Sequence, residues 1–159
     1  MRKFAYEVPQ SLQEASQVLR HWGPDARVLA GGTDLLVQIK ESGWVPSCLV
    51  SLRRLDALKG VRWDKGYLWI GARTTMKELL GSSEARPCTA LLEGAGLIGS
   101  PQIRSVATIG GNICNAAPSA DTAPGLIVLG AEAIIADGGQ RVVSVEDFFT
   151  GPGQTVLQT

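Results

Sequence analysis

The sequence predicts an α+β fold in two lobes, and three observations support this class. Two helix-start patterns occur, Ser-x-x-Glu at 11–14 and Thr-x-x-Glu at 75–78, in which the first and last side chains satisfy each other's backbone donors. Short apolar runs bounded by turn residues indicate strands between the helices. The series of predicted strands and helices has a break near residue 55, so we predict a βαβ-like lobe over 1–55 and a larger α+β lobe over 56–159.

The first lobe should begin with one amphipathic helix. Ser11 is its predicted N-cap, Glu14 should reach back to the Ser11 backbone, and the Gly23-Pro24 pair should end it. The other predicted elements of this lobe are, in order, a strand over 27–30, a glycine break over 31–34, a short helix or turn over 35–40, and a strand over 48–51.

The second lobe should contain two hairpins and three helices. The residues Asp64-Lys65-Gly66 and Asp137-Gly138-Gly139-Gln140 favour the two hairpin turns. The predicted elements are a turn or short helix over 55–60, strands over 61–63 and 67–70, a helix over 75–80, a helix over 87–98 followed by an interruption at Pro101, a helix over 122–129 capped by Asp121, and strands over 131–136 and 141–145.

Composition and charge exclude several classes of function. The 159 residues are 45 % hydrophobic and 19 % charged, as in ordinary globular domains. The chain carries 15 basic and 15 acidic residues, and this zero net charge argues against a nucleic-acid binder. No secretory leader and no membrane-spanning run is recognisable, so we expect a soluble protein in the cytoplasm.

The reactive side chains point away from metal binding and hydrolysis. Cys48, Cys88 and Cys114 have no metal-ligand spacing, and His21 is the only histidine. A nucleophile activated by histidine therefore has no evident partner set. We expect Cys48 and Cys88 to be small buried side chains, and we predict neither a metal site nor a catalytic residue.

Two glycine pairs are the most informative features. The first pair lies in Ala30-Gly31-Gly32-Thr33-Asp34-Leu35, between a predicted strand and a short helix. The second lies in Thr108-Ile109-Gly110-Gly111-Asn112-Ile113, which we predict to be a loop of the same kind. Glycine lets successive backbone N–H groups point into one concavity that binds phosphate oxygens. One pair alone is usually a turn, but two pairs are able to close on one diphosphate from opposite sides.

These segments resemble the FAD subunits of molybdenum hydroxylases, a family that includes xanthine dehydrogenase and aerobic carbon monoxide dehydrogenase. The resemblance covers essentially the whole chain. The matching segments are Ala30-Gly31-Gly32-Thr33-Asp34-Leu35-Leu36, then Gln102-Ile103-Arg104 through Thr108-Ile109-Gly110-Gly111-Asn112-Ile113, then Ala117-Pro118-Ser119-Ala120-Asp121-Thr122, and finally Asp147-Phe148-Phe149-Thr150-Gly151-Pro152-Gly153.

The resemblance implies a fold similar to the vanillyl-alcohol-oxidase type of FAD-binding domain, with FAD as the cofactor. Both glycine segments would hold the FAD pyrophosphate, with Thr108 beside it. Asp121 would contact the ribityl or ribose hydroxyls, and Val156 or Leu157 would lie near the flavin ring. The implied cofactor-binding residues are Ala30, Gly31, Gly32, Thr33, Asp34, Leu35, Ala107, Thr108, Gly110, Gly111, Asn112, Ile113, Ser119, Asp121 and Leu157.

The resemblance also implies an oxidoreductase subunit that transfers electrons. An iron–sulfur subunit would deliver them to the flavin, a molybdenum-cofactor subunit would oxidise the substrate, and NAD or another acceptor would receive them. The family continues for about another hundred residues, the scale of one domain, so we expect its C-terminal domain to be absent here. Two alternatives stay open: a non-catalytic assembly fragment, and a stand-alone flavin reductase of the same fold.

Overall fold

The computed structural model contains both helices and strands and describes residues 4–136 and 139–157. The strands are β1 Ala5–Glu7, β2 Ala26–Leu29, β3 Cys48–Ser51, β4 Val61–Asp64, β5 Tyr67–Ile70, β6 Glu132–Ile135, β7 Arg141–Ser144, β8 Phe149–Gly151 and β9 Gln154–Thr155. The helices are α1 Leu12–Trp22, α2 Leu35–Ser42, α3 Met76–Gly81, α4 Thr89–Leu97, α5 Pro101–Arg104, α6 Ile109–Asn115, α7 Thr122–Val128 and α8 Val145–Phe148. The mixed fold class predicted from the sequence is therefore confirmed.

The N-terminal elements form a three-stranded parallel sheet in the order β1-β3-β2. All four residues of the central strand β3 are buried, as expected for a strand covered on both faces. The helix α1 packs against this sheet through Val18, Leu19 and Trp22, which contact the buried Ala26, Cys48 and Val50.

The N-cap of α1 is confirmed, but its capping box is not. The Ser11 hydroxyl accepts a hydrogen bond from the Glu14 backbone N–H at 3.1 Å. The Glu14 carboxylate instead accepts from the backbone N–H of Gln10 at 2.6 Å, one residue before the expected donor. The helix ends as predicted, because Gly23 adopts a φ of +64° that stops helical propagation.

The helices and strands from residue 61 onward contribute to a second apolar core. Its buried members are Met76, Leu79, Ala85, Cys88, Leu91, Ala95, Ala107, Ile109, Leu126 and Val145. The helix α3 starts at a complete capping box, since Thr75 and Glu78 each bond the other's backbone N–H. Burial of Met76 and Leu79 in the first turns then fixes α3 in this core.

The first hairpin forms as predicted. Asp64 pairs with Tyr67 in antiparallel register, and both Lys65 (φ +50°) and Gly66 (φ +84°) take the left-handed conformation of a two-residue turn. The strands β6 and β7 also pair antiparallel. The first two residues of their predicted turn, Asp137 and Gly138, lie outside the described residues.

Three helix predictions need correction. The helix expected over 87–98 begins at Thr89. Pro101 does not merely interrupt a helix but occupies the first position of α5, where its missing N–H costs nothing. Asp121 precedes α7 as predicted, yet its side chain makes no capping hydrogen bond. None of the helices in the described ranges is long and apolar enough to cross a membrane.

Candidate functional site

The first glycine segment is a turn between β2 and α2, and each glycine is required for a different reason. A Cβ on Gly31 would lie 2.1 Å from the Val106 carbonyl oxygen, so this position needs the absence of a side chain. Gly32 has a φ of +76°, which L side chains rarely adopt. Gly32 is thus required by its backbone conformation, whereas Gly31 is required by close packing.

The turn presents four consecutive free backbone donors. Among the described residues, no acceptor bonds the backbone N–H groups of Gly31, Gly32, Thr33 or Asp34. The turn residues Gly31, Gly32 and Thr33 are half-buried and Asp34 is exposed, so these donors lie at the surface. Unsatisfied N–H groups in a turn that leads into a helix form a concavity suited to an anion.

The second glycine segment is not a loop but the first turn of α6, and the prediction of a loop there is wrong. The Thr108 hydroxyl accepts from the Gly111 N–H at 3.1 Å and caps the helix. Gly110 allows close packing, because its Cβ would lie 2.7 Å from the Ala72 carbonyl oxygen. Ala72 in turn accepts a hydrogen bond from the Gly110 N–H at 2.9 Å.

The backbone donors from Ile109 to Asn112, the first turn of α6, are all engaged within the protein. Ile109 donates to Thr74 at 3.0 Å, and Asn112 donates to the Thr108 carbonyl at 2.9 Å. With Gly110 and Gly111 also bonded, the first turn of α6 has no backbone N–H left for a ligand. The two segments therefore differ in what they offer, although their sequences look alike.

The two segments nevertheless meet in space. The closest atom of the first segment to a Cβ on Gly111 would be the Ala30 Cβ, at 3.8 Å. The Asn115 side-chain amide donates to the Asp34 carboxylate at 3.1 Å, and the Thr33 hydroxyl donates to the other carboxylate oxygen at 3.1 Å. Together with the close approach of Gly31 to Val106, these contacts place the first turn directly against α6 and the residues before it.

A buried polar contact supports α6 from the next helix. Thr122, the first residue of α7, is fully buried and its hydroxyl donates to the Oδ1 atom of Asn112. The start of α7 is itself clamped by α4, because a Cβ on Gly94 would lie 2.1 Å from the Asp121 carbonyl oxygen. Asn112 is thus held by a hydrogen bond from a buried residue of the neighbouring helix.

The predicted site residues fall into three groups by exposure. Ala107, Thr108 and Gly110 are buried. Those that are half-buried are Ala30, Gly31, Gly32, Thr33, Leu35, Gly111, Asn112 and Ile113. The exposed ones are Asp34, Ser119, Asp121 and Leu157. Within the described ranges, no hydrogen bond or ion pair links Ser119, Asp121 or Leu157 to the first turn.

Sequence reasoning overlooked two residues that shape the site. Val106 approaches Gly31 through its backbone, which no sequence pattern signals. Thr122 reaches Asn112 from another helix, and its place at the start of a predicted helix gave no sign of this bond. The bond between Asn115 and Asp34 spans 81 residues and could not be read from the sequence.

Two surface cavities of the described residues include no predicted site residue. One has a volume of about 480 Å³ and is lined by Lys59, Arg73, Thr75, Lys77, Glu78 and Ser105. The other, of about 280 Å³, is mostly apolar and is lined by Ala116, Ala117, Pro118, Ala120, Ala123, Pro124, Ile127, Phe149, Gly151 and Pro152. The candidate site is defined by its backbone donors, and neither of these two cavities is part of it.

The chemistry near the site offers no obvious acid, base or metal centre. Part of Cys114 in α6 reaches solvent, whereas the protein atoms packed around its thiol raise the pKa to about 11. Cys48 and Cys88 are buried, as predicted. Among the residues that the structure describes, no group of three His, Cys, Asp or Glu side chains is placed to hold a metal ion.

Comparison with protein families gives one model that matches nearly the whole chain. This family is the FAD-binding domain in molybdopterin dehydrogenase, and it matches residues 2–159. The xanthine dehydrogenase FAD-binding subunit of Escherichia coli O157:H7 is 38 % identical, over 97 % of this chain and 53 % of that protein. The carbon monoxide dehydrogenase medium chain of Hydrogenophaga pseudoflava is 35 % identical, over 98 % of this chain and 55 % of that protein.

Solved structures of two such proteins have the same fold. Carbon monoxide dehydrogenase from Hydrogenophaga pseudoflava superposes with a TM-score of 0.93 at 34 % identity, over 98 % of this chain and 55 % of the other. Quinoline 2-oxidoreductase from Pseudomonas putida 86 superposes with a TM-score of 0.90 at 33 % identity, over 98 % of this chain and 55 % of the other. The present chain therefore spans about half the length of the relatives that it matches.

Proposed function

The chain belongs to the family of FAD-binding domains in molybdopterin dehydrogenases, and from this membership we propose that it binds FAD with the diphosphate at the 30–34 turn. The observation that carries the proposal is the row of free backbone N–H groups from Gly31 to Asp34. A diphosphate needs several donors that converge without side-chain bulk, and a glycine turn before a helix supplies them. The eight-residue helix α2 follows directly, so its N-terminal end adds favourable potential.

In this proposal α6 has a different role from the first turn. Its backbone donors are engaged, so Gly110 and Gly111 allow close packing and do not bind phosphate through their N–H groups. Thr108 caps the helix, and the side chains of Asn112 and Asn115 supply polar groups beside the first turn. Of the other expected contacts, Ala30, Leu35, Ala107 and Ile113 would line the cofactor, and Ser119, Asp121 and Leu157 would reach it from exposed positions.

We infer the two-lobe arrangement of the vanillyl-alcohol-oxidase type, with lobes 1–55 and 56–159. The two apolar cores support this division. The core around Ala26, Cys48 and Val50 draws only on residues up to 50, and the core around Met76 and Leu79 draws only on residues from 61 onward. The first turn meets α6 where these two parts of the chain come together.

The function that follows is electron transfer within a molybdenum hydroxylase. FAD, when bound, supplies the redox chemistry, and the residues of this chain bind it, orient it and tune its surroundings. We propose that an iron–sulfur subunit and a molybdenum-cofactor subunit are the partners, and that NAD or another acceptor takes the electrons. The relatives' descriptions as a FAD-binding subunit and a medium chain support a multi-subunit assembly.

The first test is cofactor binding by the purified chain. Absorption bands of oxidised flavin, with FAD and not FMN released on denaturation, would support the proposal. Titration of the apoprotein with FAD, ADP and riboflavin then examines the diphosphate assignment. We expect FAD and ADP to bind and to compete, and riboflavin to bind far more weakly because it lacks phosphate. A protein that stays colourless in excess FAD would favour an assembly fragment.

A further inference from the structure

Thr122 is a buried polar side chain that forms a hydrogen bond to a neighbouring helix. It is fully buried at the start of α7, where its hydroxyl donates to the Oδ1 atom of Asn112 in α6. A buried hydroxyl is costly to desolvate unless it is bonded. This bond is therefore a specific link between the two helices.

The bond from Thr122 uses the Asn112 side-chain oxygen and leaves the side-chain NH2 group for another partner. An asparagine side chain has one acceptor oxygen and one donor nitrogen that carries two protons. Because Oδ1 accepts from Thr122, the Nδ2 atom must point the other way. Within the described residues, Nδ2 donates to no protein acceptor, and Asn112 is half-buried one residue after the glycine that faces Ala30.

We propose that Thr122 is a positioning residue for FAD, holding Asn112 so that its NH2 group faces the cofactor diphosphate. The inference depends on the proposed FAD function. In the opposite amide orientation, Oδ1 would face the phosphate oxygens and repel them. In the structure the buried Thr122 hydroxyl donates to Oδ1, and this bond holds the amide with its NH2 group turned away from Thr122.

The direct test is Thr122→Val, which removes the hydroxyl and keeps the side-chain shape. We expect the Kd for FAD to rise about 3- to 10-fold, the usual effect of losing one buried hydrogen bond. Thr122→Ser keeps a hydroxyl and should restore binding to within about twofold.

A double-mutant cycle separates positioning from general destabilisation. Asn112→Ala should weaken FAD binding, and adding Thr122→Val to it should cause no further loss, because Thr122 acts only through Asn112. Independent effects that multiply would overturn the proposal. The loss in Thr122→Val should also appear with ADP as the ligand and not with riboflavin, whereas an equal loss for riboflavin would indicate a merely structural role.

The outcomes distinguish this inference from the proposed function. A wild-type chain that binds neither FAD nor ADP contradicts the proposed function itself. A wild-type chain that binds FAD, with Thr122→Val binding equally well, contradicts only the role of Thr122. If the valine variant does not fold, the Asn112 side-chain NH2 resonances of the wild-type protein give the answer: they should shift on addition of ADP, and unchanged resonances would refute the proposal.

Discussion

The Asn115 side-chain amide donates a hydrogen bond of 3.1 Å to the carboxylate of Asp34, which lies 81 positions earlier in the chain. The bond joins the last residue of α6 to the turn that carries the free backbone donors. It also fixes a negative charge at the edge of a site proposed to bind a diphosphate. The Asp34 carboxylate is therefore tied to Asn115 and Thr33, and its bonds orient it relative to the site.

We predict that Asn115→Asp weakens FAD binding more than Asn115→Ala does. The aspartate would place a second carboxylate beside the proposed diphosphate site, and repulsion of the bound phosphates by about 1 kcal/mol, the scale for nearby charges in water, corresponds to about fivefold in Kd. The alanine variant loses one exposed hydrogen bond and should change Kd by about twofold. Because salt screens exposed charges, the difference between the variants should shrink in titrations at about 0.5 M salt. A salt-independent difference would contradict the electrostatic explanation.

Replacing Gly31 should be more damaging than replacing Gly32. A Cβ at position 31 would lie 2.1 Å from a backbone oxygen, which cannot move aside without shifting residues 106 and 107. We expect Gly31→Ala to lower the free energy of unfolding by about 3 kcal/mol, the upper part of the range for overpacking. Gly32→Ala faces mobile leucine side chains and a left-handed φ, and should cost about 1–2 kcal/mol.

The matched control for both variants is Gly81→Ala. This glycine lies in α3, and a Cβ there would have no neighbour within 4 Å. Alanine should be neutral, or should stabilise by up to about 1 kcal/mol, because it lowers the entropy lost on folding. Chemical denaturation of the three variants measures these differences. Equal effects at positions 31 and 81 would refute the close approach of Gly31 to Val106.

The sequence predicts a structural element well when the contacts that determine that element lie within a few residues. The Thr75 capping box and the Lys65-Gly66 turn were predictable because their partners lie within a few residues. The helical form of α6 was missed because a glycine pair favours a turn, and the bonds that override this preference come from distant residues. The close approach of Gly31 to Val106 could not be predicted for the same reason, because Val106 is far away in the sequence.

The stability of the protein should fall in acid partly through Glu78. The Thr75 backbone N–H, with a further contribution from Lys59 at 2.9 Å, holds the pKa of the Glu78 carboxyl below its ordinary value of 4.5. A lowered folded-state pKa means that this stabilisation is present above about pH 4.5 and is lost as the pH falls through the folded-state pKa. Both side chains are 40–50 % exposed, so solvent screening limits the effect to about 0.3–1 kcal/mol.

Two variants separate the sources of this pH dependence. Glu78→Gln should reduce the fall in the free energy of unfolding between about pH 6 and pH 3, measured by urea denaturation. Lys59→Met should keep most of the fall, because the Thr75 N–H is the larger cause of the lowered pKa. A Lys59 variant that behaves like the Glu78 variant would show that the ion pair dominates instead.

Cys114 should react slowly with thiol reagents although it lies at the surface. The protein atoms around its thiol raise the pKa from the ordinary 9.0 to about 11, so at about pH 8 the reactive thiolate is about 100-fold scarcer than for a free cysteine. Alkylation by iodoacetamide, followed by mass spectrometry of the Cys114 peptide, should therefore be about 100-fold slower than for a small thiol of ordinary pKa. The rate should keep rising with pH up to about 11, provided that the protein remains folded.

Cys114→Ser identifies any signal from Cys48 or Cys88, which are buried. Rapid labelling at about pH 8 would mean that solvent reaches the thiol and leaves its pKa near the ordinary value.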